Sequence, residues 1–304
     1  MKYIDKYKLH ACAHAINIDF LQKNYDNQNK QLKPYLSNPK KAFKSFKSCK
    51  NGQKGWKNLL LKEQLFEGAS RCCYCMRKLD NTISKINIEH VIPKSLHGEE
   101  GKKQYIYYSS KAPAIKDHVE MTDIFLCKNF TSKKDLKKEK KMPHVIALSN
   151  LTVACNGKRD TFDSIGCCCN WSRGNQKIMP IFLMEQAETD VKYDANGILT
   201  ITSDDGTLTG IINDLNETTL QEIRSVWYHL SKIQKDISNA ESMNIADRIV
   251  WFKSAYSTDD FTSLPEYVQR YVGNIATGDD TYWHLLLAYD WFYYYPGYAS
   301  QRIL

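Results

Sequence analysis

The chain has 304 residues, with 42 Lys and Arg against 34 Asp and Glu, and ten cysteines. Charged residues at 25% and hydrophobic ones at 42% are ordinary globular usage, which excludes wholesale disorder. The opening Met-Lys-Tyr-Ile-Asp-Lys lacks the apolar run of a secretory signal, and no stretch reaches about 18 consecutive apolar residues, so a cytoplasmic protein without a membrane span is expected.

The charge is uneven. Residues 1–70 carry 14 Lys and 5 acids, whereas the other 234 residues carry 28 basic and 29 acidic side chains. The formal net charge of +8 therefore belongs to a basic, mostly helical N-terminal segment. Its densest part sets Lys40, Lys41, Lys44 and Lys47 among Phe43, Phe46 and Trp56. Two readings stand side by side: phosphate contact with base stacking on the rings, or a solvated helical face whose aromatics pack inward.

Trp56–Phe66 has the pattern of an amphipathic helix, with Gly68 as its stop. Lys85–His90 alternates as a short strand closed by Pro93. Residues 97–143 are polar, Lys-rich and without strong periodicity, so they read as an insertion. Within them Lys133–Lys141 holds six Lys and two acids, an exposed loop or helix that reads as a solvated surface ahead of a nucleic-acid contact. Val145–Ala154 is strand-like again. Asn196-Gly197 between two apolar runs signals a hairpin. Thr219 with Glu222 makes a capping box before Leu220, Ile223, Val226, Trp227, Leu230 and Ile233, a helix. The remainder is expected to be helical, its Trp291-Phe-Tyr-Tyr-Tyr-Pro296 cluster serving as core ahead of any partner interface.

Cys72 and Cys75 form a Cys-x-x-Cys, and Cys155 is followed by Cys167, Cys168 and Cys169. In a chain without a secretion signal, paired cysteines point to a metal rather than to disulfides. Two thiolates three positions apart grip one Zn²⁺ from a tight turn, and a second pair completes a tetrahedral site. The expected ligands are Cys72, Cys75, Cys155 and Cys169, with Cys167 and Cys168 competing for the last place. A thioredoxin-like pair would need a strand-helix context that is not visible. Cys12, Cys49 and Cys127 are isolated and read as ordinary thiols.

Between the cysteine pairs lies Glu89-His90-Val91-Ile92-Pro93-Lys94-Ser95. A carboxylate beside a histidine at a strand end suits metal-assisted hydrolysis: the one holds a hard cation, the other takes a proton from water. Neighbours on a strand point to opposite faces, so the backbone must bend for both to serve one site. Asn150-Leu151 before Cys155, and Cys169-Asn170 before Arg173, complete the constellation. Alone, Asn150 reads as a turn residue and Asn170 as a helix cap.

In this order the motifs resemble the HNH, or ββα-metal, endonucleases over roughly residues 71–180. More narrowly, Glu-His-x-x-Pro-Lys-Ser, the Cys-Asn-Gly and Cys-Asn-x-x-Arg-Gly stretches and Asp214-Leu215-Asn216 resemble the PtuB-type HNH proteins of bacterial anti-phage systems, Septu and some retrons. The resemblance implies an α+β fold: a zinc-stabilised ββα-metal HNH core at 71–185, with helical N- and C-terminal extensions at 1–70 and 186–304. It implies His90 as the general base, Glu89 and Asn170 as holders of Mg²⁺ or Mn²⁺, and Asn150 as the residue that orients the loop and helps align the base. It further implies a structural zinc on the four cysteines. Lys94, Arg173 and the Lys40, Lys41, Lys44 and Lys47 group would contact nucleic acid. The PtuB resemblance also implies an ATPase partner of the PtuA type; this chain has no Gly-x-x-x-x-Gly-Lys-Ser/Thr, so any nucleotide hydrolysis would come from that subunit, and residues 186–304 are its expected docking region. Three departures stand out: Asn170 where many relatives have His, Arg173 in place of Lys, and thirteen residues, 156–168, between Cys155 and Cys169. They motivate a second expectation, a catalytically inactive zinc module that binds nucleic acid or a partner.

Overall fold

The computed structural model describes residues 1–48, 50–79, 86–155, 169, 173, 176–231, 244, 246–247 and 262–295. These residues mix helices with small two-stranded sheets, an α+β arrangement. Two compact units result: the described residues of 1–74, 79–156 and 173–188, and those of 75–78, 157–172 and 189–304. None of the described helices is long and apolar enough to cross a membrane.

In the first unit, three helices precede the cysteines: α1 (His10–Lys23), α2 (Pro39–Ser48) and α3 (Lys50–Glu63). One ring from each meets in a core, Phe20 on Phe46 edge to face at 5.2 Å and Phe46 on Trp56 at 5.6 Å. Phe43, Phe46 and Trp56 are all buried. The inward reading of these aromatics therefore holds, and the rings are not a stacking surface. Gly68 does not stop a helix: α3 ends at Glu63, and Glu67 (φ 48°) and Gly68 (φ 73°) form the turn of a hairpin joining Leu65–Phe66 to Ala69–Ser70. Two successive left-handed residues match the twist of a tight hairpin, and this overrides the helix-stop signal.

Strand β1 (Ile86–His90) pairs antiparallel with β2 (Leu151–Cys155), in a register running from Ile86 opposite Cys155 to His90 opposite Leu151. Every residue of β2 is buried. The strand-like stretch from Val145 is shorter than its composition suggests, because Leu148–Asn150 is a 3₁₀ turn. Three buried polar side chains from the N-terminal segment hold this region. Lys6 Nζ lies 2.5 Å from both Glu63 and the Leu151 carbonyl. Asn17 donates to the Ile146 carbonyl (2.7 Å) and accepts from Leu148 N (3.2 Å). Gln64 brackets Val153, donating to its carbonyl (2.9 Å) and accepting from its N–H (2.7 Å).

The supposed insertion contains helices: α4 (Gly98–Lys111), α5 (Pro113–His118) and α6 (Thr122–Leu126). Their buried residues, among them Tyr108, Ile115 and Phe125, are too sparse for a visible period. The local signals are real all the same: Glu99 and Glu100 in the first turn of α4, Lys111 in its last, and Pro113 at the start of α5. Lys133–Lys141 is largely exposed, with one 3₁₀ turn at Asp135–Lys138.

The second unit contains the hairpin β3 (Val191–Tyr193) and β4 (Leu199–Ile201), then α7 (Thr209–Leu215), α8 (Thr218–Ser231), α9 (Glu266–Ala276) and α10 (Asp280–Leu287). Leu220, Ile223, Val226 and Trp227 form the buried face of α8. The helix starts one residue before the expected cap: Glu217 Oε1 accepts from Thr219 N (3.2 Å), and Glu222 pairs with Arg270 (2.8 Å) instead of closing a box. Asn216 clamps Leu199 through its N–H and its carbonyl (2.7 and 2.8 Å). Buried Arg224 donates to the Gly197 and Leu215 carbonyls (3.0 and 2.6 Å). Trp291, Phe292 and Tyr295 are buried, so this part of the aromatic C-terminus is core.

Gly197 has φ 74°, and a Cβ there would collide with the Gln221 carbonyl. Gly197→Ala should therefore destabilise the second unit by about 2 kcal/mol or more, read as a lower midpoint in chemical denaturation.

Candidate active site and cysteine centre

Cys72, Cys75, Cys155 and Cys169 come together, their sulfurs all within 4.8 Å of one another and all four residues buried. Cys73 N–H donates to the Val153 carbonyl (3.1 Å) and Leu79 N–H to the Ser70 carbonyl (2.8 Å), which fixes the segment around the first pair. Met76 and Cys169 both take left-handed backbone (φ 63°), the sharp reversal a short metal-gripping turn needs. A tetrahedral ion with bonds of about 2.3 Å to sulfur has sulfur–sulfur edges of about 3.8 Å, so this cluster closes on such an ion with shifts under about 1 Å. The donor set fits a metal such as zinc. Cys155 stands at the end of the strand pair remote from His90, and four residues of strand put their backbones roughly 14 Å apart. A metal held by four thiolates has no open position, and here it is also remote from the imidazole. Cys167, Cys168, Asn170, Asn156, Asp160, Asp163 and Cys49 lie outside the described residues, whereas Cys12 and Cys127 are exposed.

At the other end, His90 closes β1. Its Nε2 faces the Val145 carbonyl at 3.2 Å, and its ring meets Phe43 edge to face at 4.5 Å. Only an N–H can face a carbonyl oxygen, so the hydrogen sits on Nε2 and the lone pair on Nδ1. Burial pushes the imidazole down to about 3; the Val145 contact opposes this, while the charges of Lys94, His144 and Arg173 add to it. The ring is therefore neutral at physiological pH, which is the proton-accepting form.

Asn150 is fully buried and holds the loop that follows His90. Its Oδ1 accepts from Ile92 N (2.7 Å), and its Nδ2 donates to the Ile92 carbonyl (3.0 Å) and the His144 carbonyl (2.7 Å). Its own carbonyl accepts from Val91 N (2.9 Å). An aspartate at this position would lose both Nδ2 donations.

Glu89 is buried and engaged. Its Oε1 accepts from Tyr74 Oη (3.0 Å) and is ion-paired with Arg173 Nη1. Arg173 further donates to the His90 and Val91 carbonyls and to Tyr108 Oη. Burial works against the Arg173 charge, but Tyr74 and Glu89 outweigh it and raise its pKa. The family resemblance implies a phosphate contact for Arg173; in the fold its guanidinium is buried and meets protein acceptors. The same resemblance implies a divalent cation on Glu89, and Arg173 already balances that charge. Among the described residues, the four cysteines are the one group of metal-ligating side chains gathered at ligand spacing. Asn170, the other residue that the resemblance assigns to that ion, lies outside the described residues.

Lys47 and Lys94 both lie over the Phe43 ring, at 5.6 and 5.4 Å from its centre. Burial lowers the Lys94 pKa, and repulsion from Lys47 and Lys40 lowers it further, so two ammonium groups share the ring that touches His90. Lys41 and Lys44 are exposed on the same helix, α2. Two contributors carry no sequence signal of their own. Tyr74 sits inside the cysteine motif as an apparent spacer, and His144 lies in an apolar stretch. His144 is buried, accepts from Thr122 N (3.0 Å), and is held neutral by burial at about 4.

No protein-family model, curated protein or solved structure matches this chain.

Purified protein should carry about one zinc per chain by atomic emission. Cys75→Ser should lose that metal and melt at a markedly lower temperature, because a missing ligand removes folding free energy on the order of several kcal/mol.

Proposed function

We propose that this chain is an HNH-type endonuclease that hydrolyses nucleic-acid phosphodiester bonds. One observation supports this reading above the others. A single antiparallel strand pair carries Glu89-His90 at one end, held there by Asn150, and a thiol of the four-cysteine cluster at the other. In the proposal His90 Nδ1 takes the proton of the attacking water, while Nε2–H keeps the ring oriented on the Val145 carbonyl. Asn150 fixes the turn behind the ring. Lys94, Lys47 and Lys40 hold the phosphate backbone beside Phe43, with Lys41 and Lys44 extending the basic face. The cysteines hold a structural zinc.

Divalent-metal dependence, through Glu89 and Asn170, belongs to the proposal on the strength of the sequence resemblance alone. Glu89 is a buried carboxylate next to His90, and Arg173 engages it. The proton transfer to His90 stands without that ion. The narrower resemblance to PtuB-type proteins extends the proposal to an effector nuclease of anti-phage defence, acting in the cytoplasm with a separate ATPase subunit of the PtuA type.

The Glu89–Arg173 pair favours a second reading, a zinc module that binds nucleic acid or a partner without cutting. A carboxylate neutralised by a buried guanidinium is also found in protein interiors with no catalytic role. The two readings separate in a cleavage assay on plasmid, single-stranded DNA and tRNA with Mg²⁺ or Mn²⁺. Under the nuclease reading wild type cuts at least one substrate, and His90→Ala reduces the rate by about 10² or more while keeping its zinc and fold. Salt-sensitive binding with no cleavage under any metal supports the inactive module, and undiminished cutting by His90→Ala removes His90 from the mechanism.

A further inference from the structure

A second cluster of ionisable side chains lies on elements that the proposed nuclease site does not use. His10 and His14 stand one turn apart on α1, and His118 ends α5. The His10 and His118 rings stack, centres 3.5 Å apart and planes 16° from parallel, and His14 is centred 5.5 Å from His10. Tyr7 meets His118 edge to face at 5.1 Å. The histidines line a cavity of about 540 Å³ with Lys116, Asp117, Lys140 and Lys141.

Three features of this cavity point to a ligand. First, three imidazoles from two helices line one space, His10 and His14 from α1 and His118 from α5. Second, the charge is one-sided. Three lysines face a single carboxylate, and Asp117 already accepts from Tyr7 Oη at 2.7 Å. Third, the size suits a small organic ligand rather than a bare ion.

The chemistry narrows the choice. Burial lowers the pKa of all three rings; His10, further opposed by its two neighbours, falls to about 4. The cavity therefore presents neutral imidazoles, each with one N–H, beside lysine ammonium groups. Many donors and almost no anionic acceptors suit a group with several anionic oxygens. The rings do not gather to the spacing a metal ion requires, as the cysteines do. A phosphate chain fits the lysines, and a flat base fits the wall of stacked rings.

We propose that this cavity binds a nucleoside di- or triphosphate, with the phosphates on Lys116, Lys140 and Lys141 and the base against the rings of His10, His14 and His118. Binding is all that is assigned; no hydrolysis is implied.

Isothermal titration of the full-length, zinc-loaded protein tests this, with ATP, pyrophosphate, inorganic phosphate and a short single-stranded oligonucleotide as separate titrants. ATP should bind saturably with one site per chain, and pyrophosphate more weakly. Lys140→Ala, which alters an exposed side chain, should weaken ATP by about tenfold or more while leaving the ligand-free melting temperature unchanged, and Lys140→Ala/Lys141→Ala should weaken it further. His14→Gln should weaken it as well, and ATP should shift the imidazole resonances of His10, His14 and His118. No saturable ATP binding at about 1 mM, or wild-type affinity in these variants, would overturn the proposal. Oligonucleotide binding that depends on Lys140 and Lys141 and is not displaced by ATP would overturn it too, assigning the lysines to strand contact.

Discussion

The candidate site depends on a strand pair too small to stand alone. Two five-residue strands, Ile86–His90 and Leu151–Cys155, have no third strand beside them among the described residues. An isolated two-stranded sheet is marginal in water, so its geometry must be imposed from outside. Buried polar side chains do this. Gln64 brackets Val153, Lys6 reaches the Leu151 carbonyl, Asn150 clamps Ile92, and Arg173 gathers the His90 and Val91 carbonyls. Each makes a specific contact that an apolar side chain could not, and each would leave buried backbone groups unmatched if removed. The N-terminal segment, with its excess of lysine, is thus part of the same packed unit as the strand pair. Its polar residues at positions 6, 17 and 64 face inward, and most of the lysines of α2 face out.

The same constraint accounts for the engaged carboxylate. Glu89 is one residue from the strand end and buried, where an unpaired charge costs several kcal/mol. Arg173 and Tyr74 satisfy it. His90, adjacent but held by Val145 and Phe43, escapes that network and keeps a neutral ring. Neighbouring residues therefore differ sharply in what remains open to chemistry: a carboxylate held by protein donors, and an imidazole with a basic nitrogen.

Much of this is legible in the sequence, for identifiable reasons. Cys-x-x-Cys and the later cysteines carry their chemistry in residue type and spacing, so a shared metal site can be read directly, although spacing alone leaves Cys167, Cys168 and Cys169 competing for its last place. The strand at Ile86–His90 alternates, and Asn196-Gly197 demands a left-handed turn; both signals are local and both survive in the fold. Asn150 stands out only through family resemblance, yet its three side-chain hydrogen bonds show what an amide there does. What stays hidden is non-local. The side chain of Arg173 reads as a surface cation, and only the fold reveals that it is buried beside Glu89. Tyr74 looks like a spacer between thiols. The helices of 98–126 bury too few residues to show a period. His10 and His14 are visibly four apart, but nothing in the chain announces that His118 will stack on His10.

The central claim is that four thiolates hold a metal at one end of this strand pair and leave His90 at the other end free of it. Zinc K-edge absorption on purified protein tests it most directly. The account predicts a first shell of four sulfurs at about 2.3 Å with no nitrogen or oxygen scatterer. A shell containing imidazole nitrogen or water oxygen, or protein that folds with no metal bound, would contradict it.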